Sequence, residues 1–234
     1  MRRDTPGLVE VLPSRPLPAS PAQVIAALSP FLSAERSARI ETVVNGRTRR
    51  LVMVLDQTTD PHNAAAVLRS ADAFGVQEVH VIAGEQPFTA PPRVARGTAH
   101  WLDVCRHETP RACAEVLRSR GYRILVASME GAITPTQLRD LHHVAVIFGN
   151  EHLGVSAELR SLADGTYAIP MHGFVESLNV SVAAAITMHA ATRDRPGDLA
   201  ESDRNELRAR FMLASVRAGE EVVHEMLARE PADR

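Results

Sequence analysis

The chain has 234 residues, 45% of them hydrophobic and 23% charged, a length and composition that rule out a mini-protein and allow a large buried core. All 26 basic residues are arginine, which excludes a Schiff-base lysine and the lysine of a Walker phosphate loop but keeps the planar guanidinium that suits phosphate oxygens. The net charge of −2 hides an asymmetry, because residues 1–50 carry +4 and the remaining 184 carry −6, the footprint of a basic arm on an acidic body.

Residues 1–20 hold Pro6, Pro13, Pro16 and Pro18 and few large apolar groups, which predicts a flexible lead-in with no packed element. From Pro21 to Val44, the positions Val24, Ala27, Leu28, Phe31 and Leu32, then Ile40, Val43 and Val44, recur at helical spacing. Pro30 divides this stretch into two short helices. Arg36 and Arg39 lie on a neighbouring face and Arg47 follows the Asn45-Gly46 stop, so residues 21–50 read as a basic helical extension. Short apolar, β-branched runs follow at Leu51–Leu55, Glu78–Ile82, Arg123–Ala127 and Val144–Phe148, with weaker ones at Trp101–His107 and Thr166–Ile169. Helical stretches over Asn63–Phe74, Arg111–Arg120 and Val180–Ala191 alternate with them. This rhythm predicts an α/β body over 51–192, a mostly parallel sheet with helices on both faces. In the C-terminal extension, 193–234, Leu207, Phe211, Ala214, Ala218, Val222 and Met226 share one face and predict a single long amphipathic helix.

Cys105 and Cys113 lack metal-ligand spacing and are too few for a disulfide framework, so they read as packing residues in a reducing cytoplasm. No apolar run reaches the roughly 18 residues of a membrane span, and Arg2-Arg3 precedes proline-broken sequence rather than a secretory stretch. The G-x-G-x-x-G and G-x-S-x-G fingerprints are missing, and His142-His143 lacks the spacing of a zinc helix, so no metal site is expected.

In an open α/β sheet, ligands bind at loops delivered by strand carboxyl ends, and three such loops concentrate unusual residues. In the first, Asn63 can cap the helix that begins there. Arg69 lies six residues on, almost two turns along but on another face, and its small or apolar neighbours Ala66, Leu68, Ala71 and Ala73 leave its charge in want of a partner. In the second, Gly149 and Gly154 bracket Glu151 just beyond a strand, as close backbone approach to a ligand requires. The third runs through Ile169-Pro170-Met171 to Ser177 and Asn179, either of which can cap the helix from Val180.

In order and spacing, three motifs resemble those of the SpoU branch of the SPOUT-class RNA 2′-O-methyltransferases. They are Asn63 and Arg69 with Ala71-x-Ala73-x-Gly75, Gly149-x-Glu151-x-x-Gly154, and Ile169-Pro170-Met171 with Ser177-Leu178-Asn179-Val180-Ser181. The arginine-bearing N-terminal helices narrow the likeness to the TrmH-type tRNA guanosine methyltransferases. The resemblance implies a C-terminal deep trefoil knot, S-adenosylmethionine as cofactor without a metal, a homodimer, and methylation of a ribose 2′-hydroxyl in tRNA at a D-loop guanosine. Ribosomal RNA is the alternative substrate, and a non-catalytic RNA-binding relative a more distant reading. By position it assigns the cofactor to Ala127, Gly149, Ile169, Met171 and Leu178. It assigns activation of the hydroxyl to Arg69, either as base or as a clamp on phosphate and developing alkoxide. Asn63 and Glu151 would hold Arg69, Ser177 and Asn179 would organise the last loop, and Arg36, Arg39, Arg47, Arg193 and Arg195 would bind RNA.

Overall fold

The computed structural model describes residues 8–12, 16–58, 60–82, 100–150 and 153–229. Its strands are β1 (Leu8–Leu12), β2 (Leu51–Asp56), β3 (Glu78–Ile82), β4 (Asp103–His107), β5 (Arg123–Ala127), β6 (Val144–Phe148) and β7 (Gly165–Tyr167). Its α-helices are α1 (Pro21–Leu28), α2 (Ala34–Asn45), α3 (Pro61–Ala73), α4 (Pro110–Ser119), α5 (Pro135–Leu138), α6 (Ala157–Leu162), α7 (Val180–Thr192), α8 (Glu201–Ser215) and α9 (Gly219–Arg229). Two compact units result. One holds all the strands and α3 to α7; the other holds α1, α2, α8 and α9.

In the first unit the sheet runs β1-β4-β3-β2-β6-β5-β7. Neighbouring strands are parallel except β1 and β4. A parallel sheet covered on both faces needs strands apolar at every position, and β2 and β6 are buried throughout. Alternation then sorts the side chains. Leu51, Met53 and Leu55 of β2 and Val144, Val146 and Phe148 of β6 pack with α3 and α7, while Val52, Val54, Ala145 and Ile147 pack with α4 and α6. Each such fully buried Val, Leu, Ile or Phe side chain contributes about 1.5–3 kcal/mol.

Strand β1 corrects the expectation of an unpacked lead-in. Leu8–Leu12 pairs antiparallel with β4, with Val11 opposite Cys105 and Leu12 opposite Val104. It lies between Pro6 and Pro13, and the edge of β4 supplies the backbone partners that a proline-rich segment cannot make within itself. The two weaker strands are shorter than predicted, beginning at Asp103 and ending at Tyr167.

A buried polar network on the α4 side was not legible as a unit. His80 Nε2 lies 2.7 Å from Glu78 Oε1, and His80 Nδ1 lies 2.7 Å from His107 Nε2. The two imidazoles are within 7° of parallel with centroids 5.0 Å apart, the spacing of a ring-to-ring hydrogen bond in a shared plane rather than of a face-to-face stack. Arg120 grips both oxygens of Glu78. Burial alone would raise the Glu78 pKa, but hydrogen bonds from His80 and Arg120 and their charge reverse this and hold the carboxyl well below the usual carboxylate range. Arg49 stays close by, donating to Asp103 at 2.9 Å and lying 3.7 Å from Glu78.

In the second unit α1 packs against α8 and α9, and α2 against α8. Val24, Leu28, Ile40, Val44, Leu207, Phe211 and Val223 are buried there. The predicted single C-terminal helix is two helices. Val216 is extended and Ala218 takes φ +55°, a left-handed conformation that ends α8 and restarts the chain at Gly219. A Cβ at Gly219 would sit 3.1 Å from the Leu213 carbonyl oxygen, a close approach that glycine eases.

Candidate active site

The carboxyl ends of β5, β6 and β7, with the loops that leave them and the start of α7, enclose a cavity of about 800 Å³. Ala127, Gly149, Ile169, Met171 and Leu178, the five residues expected at the cofactor, all line it, as do Ser177 and Asn179. The loop after β6 is closed by its own backbone. Asn150 N–H donates to the Gly154 carbonyl at 3.0 Å and Gly154 N–H donates back at 2.9 Å. A Cβ on Gly149 would lie 2.1 Å from the Gly154 carbonyl carbon and the Val155 nitrogen, so this glycine serves the loop's own crossing, where the sequence pointed to a ligand. Gly154 takes φ +69°, as its place at the turn demands. The Asn150 side chain reinforces the loop, donating to the Gln57 carbonyl at 2.9 Å and accepting from Leu153 N–H at 3.1 Å. On the opposite wall Ser128 N–H donates to the Tyr167 carbonyl at 2.8 Å. A Cβ on Gly131 would lie 2.4 Å from the Tyr167 carbonyl carbon, so the loop after β5 is seated directly on β7.

Asn179 joins the first and third motifs. It is the N-cap of α7, its Oδ1 accepting from Ser181 N–H at 2.8 Å and from the Ser181 hydroxyl at 2.6 Å, while its Nδ2 donates to Asn63 Oδ1 at 3.0 Å. Ser177 makes no cap. Asn63 does not cap α3 either: Asp60 does, accepting from His62 N–H at 2.8 Å with Pro61 at the first helical position. Asn63 is buried one turn in, where it faces Asn179 rather than Arg69. Arg69 is exposed, and its side chain makes no hydrogen bond or ion pair among the described residues. Glu151 lies outside the described residues.

Behind the cavity, Asp56 at the end of β2 accepts from Ser156 N–H, the N-cap of α6, at 2.7 Å. Burial pushes its carboxyl above the ordinary 3.8, against hydrogen bonds from Ser156 that pull the other way. Tyr167, on the cavity wall, hydrogen-bonds Thr187 at 2.8 Å, and burial outweighs that bond to push its phenol up to about 12.

The basic residues expected at RNA divide by exposure. Arg36 and Arg39 are exposed on α2, with Arg36 Nε donating to the Ser215 hydroxyl at 3.0 Å. Arg193, exposed just beyond α7, sits 3.3 Å from Asp194, and Arg195 donates to the Arg139 carbonyl. Arg47 is a correction: it is 1% exposed, with its guanidinium 5.7 Å from the centre of the Phe211 ring, so it is a core residue of its unit and offers no charge to a polyanion.

The profile of the SpoU rRNA Methylase family matches residues 50–189, the span that carries β2 to β7, the cavity and all three motifs. The chain belongs to this family. A SpoU-family relative from Borreliella burgdorferi, named tRNA (guanosine(18)-2′-O)-methyltransferase, is 36% identical over 167 residues, 71% of this chain and 77% of the relative. Among solved SpoU-family structures, the A. aeolicus TrmH/SpoU tRNA modifying enzyme superposes with a TM-score of 0.68 at 25% identity, over 78% of this chain and 98% of its own. The SpoU methyltransferase AviRb from Streptomyces viridochromogenes, solved in complex with AdoMet, gives 0.54 at 28% identity over 63% and 61% of the two chains.

For a SpoU-family cofactor the cavity's size and surface are suited. Its volume is within the range of about 300–1,000 Å³ of small-molecule sites, and its lining mixes backbone turns with Val126, Ala127, Ile169 and Leu178. Motif matching missed Arg160 and Glu176, which also line it. A signal was available for Arg160: it lies four residues past Ser156, in the helix that the second motif's loop leads into.

Proposed function

We propose that this protein transfers a methyl group from S-adenosylmethionine to a ribose 2′-hydroxyl of tRNA, at the D-loop guanosine named in its relatives, position 18. The observation that carries the reading is convergence: five residues from the end of β5 and the loops after β6 and β7 line one cavity, and the Asn179–Asn63 bond ties that cavity to the helix bearing Arg69. When bound, the cofactor supplies an electrophilic methyl on a sulfonium. Ala127, Gly149, Ile169, Met171 and Leu178 hold it, largely through backbone atoms and apolar contact. Asn63, Ser177 and Asn179 organise the floor on which the ribose is set, and Glu151 orients Arg69. Arg69 clamps the phosphate beside the target ribose and stabilises the alkoxide as the hydroxyl proton departs. A guanidinium, with its pKa above about 12, suits that role better than the role of base. Its side chain is exposed and makes no hydrogen bond or ion pair among the described residues, which leaves it open to a phosphate.

The finer architecture belongs to the same proposal. A trefoil knot over the C-terminal part of the body accords with the path of the chain, which leaves the edge strand β7 and returns to pack α7 on α3 and α5. The protein acts in the cytoplasm as a homodimer, and the dimer is supported by the apolar side chains left exposed near the third motif, Phe174 and Val175 before α7 and Val182 and Ile186 on it. The terminal extensions serve as the RNA-binding part, through Arg36, Arg39, Arg193 and Arg195. Among the described residues no helix is long and apolar enough to cross a membrane.

The test is methyl transfer from labelled S-adenosylmethionine to an unmodified tRNA transcript and to ribosomal RNA, with the methylated ribose mapped. Label on the D-loop guanosine, abolished by Arg69→Ala without loss of cofactor binding, is the expected result. Label in ribosomal RNA alone would favour the substrate in the family's description and overturn the tRNA assignment.

A further inference from the structure

The cavity wall is built mainly of backbone and apolar groups, and among its described lining residues Arg160 is the one cation. Its placement is specific. The Arg160 Nε–H donates to the Val155 carbonyl at 2.8 Å, which fixes the plane of the guanidinium, and Val155 is itself buried. Nη2 lies 3.0 Å from where a Cβ on Gly154 would stand, so the guanidinium lies across the loop close against Gly154. The four N–H groups of the two terminal nitrogens make no hydrogen bond or ion pair among the described residues. A planar cation pinned by one bond, with its fork unused beside a ligand-sized cavity, is arranged for an anion with two oxygens.

We propose that Arg160 binds the α-carboxylate of the methionyl end of S-adenosylmethionine. This rests on the cofactor reading above. S-adenosylmethionine has no phosphate; its one anionic group is that carboxylate, accompanied by a cationic ammonium and sulfonium. Ile169 and Leu178 suit the adenosine half and make no distinction between the cofactor and a nucleoside lacking the amino acid. Arg160 supplies the missing recognition, and Glu176, the one acidic side chain among the described lining residues, has the sign that suits the ammonium. Holding the carboxylate also limits how the methionyl chain lies and hence where the sulfonium methyl is presented. A phosphate of the RNA is the competing anion. Shared lining with Ile169 and Leu178 favours the cofactor.

Calorimetric titration of wild type, Arg160→Gln and Arg160→Lys with three ligands tests this without recourse to activity. S-adenosylmethionine and S-adenosylhomocysteine carry the carboxylate; 5′-methylthioadenosine keeps the adenosine and sulfur and lacks the whole amino acid. Arg160→Gln is expected to weaken the first two by about ten- to a hundredfold, the worth of a charge-assisted contact, and to leave methylthioadenosine within about twofold. Arg160→Lys should recover part of the loss, since it restores the charge without the fork. Equal weakening of all three ligands would assign Arg160 to support of the loop and overturn the proposal. Unchanged binding of all three, with tRNA affinity reduced, would overturn it in favour of a phosphate contact. A wild-type protein that binds none of the three would overturn the cofactor reading itself, an outcome distinct from both.

Discussion

Asn179 performs two tasks that substitution can separate. Its Oδ1 caps α7 and its Nδ2 reaches α3 through Asn63. Loss of an N-cap oxygen costs about 0.5–2 kcal/mol, and loss of a hydrogen bond between neutral groups about 0.5–1.5 kcal/mol. Asn179→Ala removes both and should cost about 2 kcal/mol, a fall in Tm of about 4–8 °C for a chain of this size. Asn179→Ser keeps a capping oxygen but is too short to reach Asn63, so it should cost only the second share, about 1 kcal/mol. Urea unfolding followed by circular dichroism measures both. In the background of Asn63→Ala, the added cost of Asn179→Ser should vanish while the capping share of Asn179→Ala persists, because the cross-helix bond is already gone. If Asn179→Ser instead matches Asn179→Ala, or if the two sites prove additive, the bond that ties the cavity to the Arg69 helix has no energetic standing and the link between the motifs must be sought elsewhere.

Three further outcomes are expected. Gly149→Ala forces a methyl group into the Gly154–Val155 backbone, 2.1 Å away, so it should lower S-adenosylmethionine affinity by at least about tenfold and destabilise by about 1–3 kcal/mol; calorimetry showing wild-type affinity would contradict the closed-loop reading. Glu78→Gln leaves Arg120 and His80 without their carboxylate and should cost about 3–5 kcal/mol at neutral pH. Because the folded-state pKa of Glu78 is depressed, its contribution is present in full above the ordinary value of 4.5 and is lost as pH falls through the folded value, so the gap between wild type and variant in urea unfolding should narrow in acid. Asp56 has the opposite sign: its folded-state pKa is raised, so ionisation weakens the fold as pH climbs from 3.8 through the folded value. Asp56→Asn should therefore be neutral or stabilising at pH 7 and lose that advantage toward pH 4, and unfolding curves with the reverse trend would refute the assignment.

Much of the fold was legible because its signals are local. β2 and β6 announce themselves as unbroken apolar runs, α1 by the helical spacing of Val24, Ala27 and Leu28, and α7 by the Asn179 cap, each settled within a few residues of chain. The motif residues of the cavity were legible in the same way, as small groups at strand ends with characteristic spacing. What the sequence alone determined was therefore the parallel α/β body, the order of its elements and two of the three strand-end loops, the second and the third, that line the cavity. The tertiary structure decided the rest. Arg47 and Arg36 look alike in sequence, yet one is buried against Phe211 and the other exposed beside Ser215, because the two meet α8 at different points along its length. Asn63 resembles a cap until Asn179, 116 residues away, claims its oxygen. Leu8–Leu12 becomes a strand only because β4 has an open edge to complete. In each case the deciding partner is remote along the chain, so its effect has no local signature and comes into being only when the elements pack.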